Sequence, residues 1–168
     1  DVPTIATMRY LLATGDTHER RHVVGAHSRL TVWANMEGGP MGAAEFGTTI
    51  LADLPIVSER AMYRDAAGQP FGAGSVVSGV ATPDTSWLFA EGATGAFFDT
   101  YLLMANPGES TATIRVEYLR AVLPGQAATA QAIVRTYRVP GRSRRTIWVR
   151  EEDPALADTQ VGLRLTSD

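Results

Sequence analysis

Alternation with a period of two runs through almost the whole chain. Ala6, Met8, Tyr10 and Leu12 point one way with Thr7 and Arg9 between them, the pattern of a half-buried strand. Ile114, Val116 and Tyr118 repeat it, interleaved with Thr113, Arg115 and Glu117. Further strands are predicted at Ile56–Tyr63, Ser75–Ala81, Trp87–Ala90, Phe98–Ala105, Ile133–Val139, Arg145–Val149 and Val161–Thr166. Turn signals separate them: Gly15-Asp16, Ala67-Gly68, Asn106-Pro107-Gly108 and Val139-Pro140-Gly141. No stretch sustains a 3.6-residue period with caps, so almost no helix is expected. Many short strands at this spacing predict an all-β fold, an antiparallel β-sandwich of the Ig or fibronectin type.

The chain also repeats itself. Val24–Trp33 aligns with Val139–Trp148 at an offset of 115 residues, with Val, Ser, Arg, Thr and Trp identical and Val32 matched by Ile147. The same offset carries Phe46–Asp53 onto Val161–Asp168. The first strand aligns at a shorter offset, Tyr10 on Tyr118, so the second copy holds seven extra residues, assigned to a longer hairpin loop at 123–130. Self-similarity at a fixed period marks a repeat architecture. The predicted organisation is one and a half repeats: residues 1–54 as the C-terminal half of one sandwich and 55–168 as a complete one. Half a sandwich exposes a sheet face and unpaired edges, to be covered by missing strands, by another molecule, or by Trp87–Asn106 serving both halves.

Composition narrows function more by exclusion than by indication. The 168 residues carry a net charge of −3, which gives no global attraction to nucleic acid or anionic membrane, and no apolar run approaches a spanning helix. Cysteine is absent, which removes disulfides, thiol catalysis and thiolate metal sites. Lysine is absent too, all fifteen basic residues being Arg, so Schiff-base chemistry and a P-loop lysine are excluded. The first residue is Asp1 with no signal peptide, as in a mature product or a piece of something longer.

Four phrases together resemble a known type of sequence: Pro55–Tyr63 (PIVSERAMY), Ser86–Gly92 (SWLFAEG), Phe98–Pro107 (FDTYLLMANP) and Ser143–Val149 (SRRTIWV). The set is similar to an uncharacterised tandem β-sandwich repeat of large secreted or cell-surface bacterial proteins. The resemblance implies an extracellular or surface location and membership of a tandem array; it carries no activity and no catalytic residues.

Several constellations invite chemistry. His18-Glu-Arg-Arg-His22 spells the zinc-protease signature, which needs both His on one helical face. Here the flanking residues predict a hairpin strand, on which positions four apart lie ~13 Å from each other, too far for one metal; no metal site is assigned. Arg138, Arg142, Arg144, Arg145 and Arg150 crowd around Trp148 and could take phosphate or sulfated glycan, but Glu151-Glu152-Asp153 follows directly and the first copy keeps only Arg29, so a solvated strand face is the expectation. Glu91 and Asp99 could be read as paired glycosidase carboxylates; turn and cross-strand hydrogen bonds near Arg60 are the expectation. Phe71–Gly74 is read as a flexible loop rather than a nucleotide fingerprint. All three His lie within ten residues of one another, so no Ser-His-Asp set can be drawn.

The expectation is therefore a non-enzymatic structural or adhesive module with no cofactor. Its partners would be neighbouring repeats or copies of itself, joined by strand or edge packing into a fibre or layer, with no nucleic acid and no membrane insertion. The alternative is a carbohydrate-binding module. The residues singled out as possible ligand or interface positions are Trp33, Trp148, Arg142, Arg144 and Arg145.

Overall fold

In the computed structural model, which describes residues 2–66, 69–122 and 131–168, twelve antiparallel strands follow one another. They are β1 Thr4–Leu12, β2 Thr17–Val24, β3 Phe46–Ala52, β4 Glu59–Ala66, β5 Gln69–Ser78, β6 Ser86–Phe89, β7 Ala93–Thr94, β8 Tyr101–Asn106, β9 Ala112–Arg120, β10 Ile133–Val139, β11 Ser143–Trp148 and β12 Thr159–Ser167. Among the described residues the only helical turns are short 3-10 segments, at Ala34–Met36, Gly39–Gly42, Val149–Glu151 and Pro154–Leu156. The fold is all-β, as the alternation predicts. The expected turn at Ala67-Gly68 and the loop at 123–130 lie outside the described residues.

The principal core lies between two layers. One is the sheet β10-β9-β12-β6, with β7 added on β12; the other is the pair β11-β8. Ile114, Val116 and Tyr118 from β9 and Val161, Leu163 and Leu165 from β12 meet Leu102 and Met104 from β8 and Ile147 from β11 in one buried cluster. Each set is spaced by two, as a strand with one buried face requires. Leu156, on the 3-10 turn that follows, closes one end and is fully buried.

The first part of the chain is built on the same plan with less of it. The sheet β2-β1-β3 has the register of β10-β9-β12: Tyr10 lies opposite His18 and Thr48, as Tyr118 lies opposite Ile133 and Leu163. Tyr10 and Met41 are fully buried, as are Tyr118 and Leu156 at the matching places. Among the described residues no counterpart of β8 faces this small cluster. The segment 28–33, which matches β11 in sequence, belongs to no sheet among the described residues.

The hairpin β4-β5 joins the two parts, and none of its residues whose burial is described belongs to either buried cluster. Phe71–Gly74, read from the sequence as a flexible loop, lies instead inside β5. Gly74 sits opposite Tyr63, where a Cβ would come within 2.9 Å of the Met62 carbonyl oxygen. Glycine there permits close approach within a strand rather than breaking it.

Candidate functional site

The most developed polar geometry lies where the two parts meet. β8 and β11 have a second face, turned away from the principal core, that carries Tyr101, Leu103 and Ala105 on one strand and Arg144, Thr146 and Trp148 on the other. β3 seats against it. Gly47 approaches so closely that a Cβ would stand 2.9 Å from that of Ala105 and 3.9 Å from that of Leu11. Beside this contact the Glu45 carboxylate accepts from the Arg144 guanidinium at 2.6 Å and from the Thr146 hydroxyl at 2.9 Å. The Arg144 side chain is only 5% exposed, whereas Glu45 is 67% exposed, so the pair closes a buried cation against a solvated anion. Burial pushes the Arg144 pKa down and Glu45 opposes it; Arg60 nearby is lowered by burial and then by Arg144. Both guanidiniums remain protonated at any ordinary pH. Arg60 lies over the Phe46 ring at 5.4 Å, a cation–π contact that ties the β4-β5 hairpin to β3.

A second polar device occurs twice. In the first part Arg20 Nε donates to the Glu37 carbonyl at 2.9 Å and His22 Nε2 meets the Glu37 carboxylate at 3.0 Å. In the second, Arg135 donates to the Glu152 carbonyl at 2.8 Å and the Tyr137 hydroxyl donates to the Glu152 carboxylate at 2.5 Å. Each pins a 3-10 turn to its neighbouring strand, and the offset between the two is again 115 residues. Tyr118 and Tyr137 also share a hydroxyl–hydroxyl bond at 2.8 Å. Burial and then the Glu152 carboxylate push the Tyr137 phenol far up, so it is a permanent donor; Tyr10 is raised to about 12, by burial first and Glu37 next. Arg135 also pairs with Asp153 at 3.0 Å, whose carboxyl is held low chiefly by the Ala155 N–H that it caps.

This arrangement gives both histidines of the His-Glu-x-x-His spelling a partner on the Glu37 turn. His18 and His22 are on strand β2, facing the Glu37 turn: His18 Nε2 lies 3.2 Å from the Glu37 carbonyl oxygen. No group of three or more potential metal-ligating side chains occurs among the described residues.

The arginines crowded in sequence around Trp148 are dispersed in space. Arg142 pairs with Glu109 at 3.2 Å, Arg144 is buried in the joint, and Arg145 covers the Tyr137 ring at 5.1 Å. Arg150 lies 5.8 Å over the Trp148 ring and pairs with Asp99 at 3.2 Å. Glu91 lines the same groove as Arg60, beside β8. Trp148 stacks on Tyr101 with centroids 5.7 Å apart and remains 40% exposed; Trp33, at the matching position, has no such neighbour among the described residues and is 68% exposed.

Sequence reasoning chose Arg144 but missed its partners Glu45, Gly47 and Ala105. One signal was available: glycine stands at both 47 and 162, the same place in each copy. The Glu37 and Glu152 pair, identical at the same offset, lay just beyond the matching phrase. Comparison with protein-family models, curated proteins and solved structures finds no match to this chain.

Proposed function

We propose that the chain is a non-enzymatic structural module, one and a half units of an Ig- or fibronectin-like β-sandwich array on an extracellular or cell-surface bacterial protein. The observation that carries this reading is the joint. One part sets its β3, through Gly47 and Glu45, on the outer face of β8-β11 in the next, burying Arg144. A module that offers one end of itself to the opposite end of its neighbour can be extended indefinitely, and stability then adds by units and interfaces. The surface location rests on the four phrases that resemble secreted repeats.

Small-angle scattering on chains carrying one, two and three added 115-residue units tests the reading. A maximum dimension that grows by a constant increment is expected. A coil-like growth, with units tumbling independently, would overturn it.

A carbohydrate-binding reading is favoured by one feature, the exposed Trp148–Tyr101 stack under Arg150. Titration with a polysaccharide panel decides it. A fluorescence shift lost in Trp148→Ala would replace the structural reading with that one.

A further inference from the structure

Resting on the array reading above, we propose that residues 28–33 form an acceptor edge. Its occupant is a strand of the Tyr101–Asn106 type, contributed by another copy of the same repeat and docked antiparallel in the register of β8 on β11. The two ends of the edge already have the geometry of those of β11. His27 and Arg142 hold matching positive φ values of 51° and 54°. Ser28 Oγ donates to the Gly25 carbonyl at 2.8 Å, as Ser143 Oγ does to the Pro140 carbonyl at 2.8 Å. Trp33 and Trp148 enter the following 3-10 turns with φ of −89° and −87°. The turn and the exit thus coincide at the two ends of the segment, yet among the described residues only the second copy has a strand lying on it.

The differences in exposure outline what is missing. Ser143 and Ile147 are buried, at 0% and 4% exposed, whereas Ser28 is exposed and Val32 only half-buried. Leu30 and Trp33 stand open beside them, with Met36 just beyond. In the second copy β8 satisfies the matching row: Trp148 meets Tyr101, Ile147 meets Leu102, Arg145 meets Met104 and Ser143 meets Asn106. Transferred by the 115-residue offset, an incoming Tyr would cover Trp33. Its Leu and Met would descend onto Met8, Tyr10 and Met41. Its Asn, like Asn106 toward the Val139 and Pro140 carbonyls at 3.0 and 3.2 Å, would reach those of Val24 and Gly25. Main-chain hydrogen bonds supply affinity in such strand addition, and alternate side chains supply the register.

One residue limits the fit. Ala26 stands where the second copy has Gly141, and a Cβ at Gly141 would lie 2.0 Å from the Glu109 carbonyl oxygen. The occupant therefore matches β8 through its Asn, and the turn beyond it follows a different path.

The test appends the octapeptide Asp99–Asn106 ahead of Asp1 of the full chain through a flexible Gly-Ser linker, which keeps the strand at high effective concentration. A matched chain carries Asp at the two positions of the appended copy that correspond to Leu102 and Met104. Amide hydrogen exchange is followed at 28–33, with β1 and β2 amides reporting that the sheet is folded in both. The expected result is exchange at 29–32 slowed at least about tenfold by the apolar strand and unchanged by its Asp version. Equal exchange in the two chains, with β1 and β2 protected, overturns the proposal. Slowed exchange with coil-like scattering from the extended chains would leave the acceptor edge standing and remove the array. Regular scattering growth with unslowed exchange would do the reverse.

Discussion

Glu45→Ala tests what holds the joint. The substitution leaves the Arg144 guanidinium, on a side chain only 5% exposed, with the Thr146 hydroxyl at 2.5 Å as its remaining hydrogen-bond partner among the described residues. Losing a hydrogen bond to a charged group costs about 1.5–3 kcal/mol when the partner stays buried. Glu45 is 67% exposed, and solvent screening reduces the figure, so about 1–2 kcal/mol is expected. For a chain of this size that lowers Tm by ~2–8 °C. Arg144→Met should cost less, about 0–1 kcal/mol, because it removes the buried charge together with its desolvation and leaves Glu45 in water. Adding Glu45→Ala to Arg144→Met should then change little. Urea denaturation of the four chains, followed by tryptophan fluorescence and circular dichroism, gives the coupling energy from the cycle. If Glu45→Ala is neutral, or Arg144→Met is the more damaging of the two, the ion pair does not secure the contact and Gly47 against Ala105 must do so alone.

Two further outcomes follow from the same structure. Leu156→Ala empties a fully buried site in the larger core and should cost about 2–5 kcal/mol by chemical denaturation, with Met41→Ala, in the smaller cluster, at the lower end of that range. Glu117 lies between Arg164 and Arg115 on the outer face of the sheet, and their hydrogen bonds hold its carboxyl down to about 2 against an ordinary 4.5. Ionised Glu117 therefore stabilises the fold above pH 4.5, and that contribution fades as the pH falls toward 2. Glu117→Gln should be less stable than the parent at pH 6, by a gap that narrows as the pH falls from 4.5 and closes only below pH 2; a constant difference from pH 6 to pH 2 would refute the assignment.

Much of the fold is legible in the residues because strands with one buried face write themselves as alternation. Ile133–Val139 has the same limits in sequence and structure, and Val161–Thr166 lies within β12. The pairing of Tyr10 with Tyr118 as equivalent core residues follows from the spacing of their neighbours, and both are fully buried. The His-Glu-x-x-His spelling was also correctly placed on a strand by the turn before it and the β-branched pair after it. Where local pattern misleads, a non-local contact is responsible. Phe71–Gly74 has the composition of a loop, but pairing with β4 makes it a strand. Arg144 sits in a run of arginines that reads as solvated, and only Glu45, ninety-nine residues away, explains its burial.

The sequence by itself determined the all-β class, the spacing of the strands, their buried faces and the self-similarity at 115 residues. These depend on the two-residue period of the strand backbone and on turn chemistry, both written over a few neighbours. Tertiary structure alone decided that Ser143–Trp148 is a paired strand while the nearly identical 28–33 is not. Pairing needs a second strand at hydrogen-bonding distance: β8 meets β11 in the second copy, and no described strand meets 28–33 in the first. The same reason hid the joint, because which guanidinium is buried depends on what packs over it.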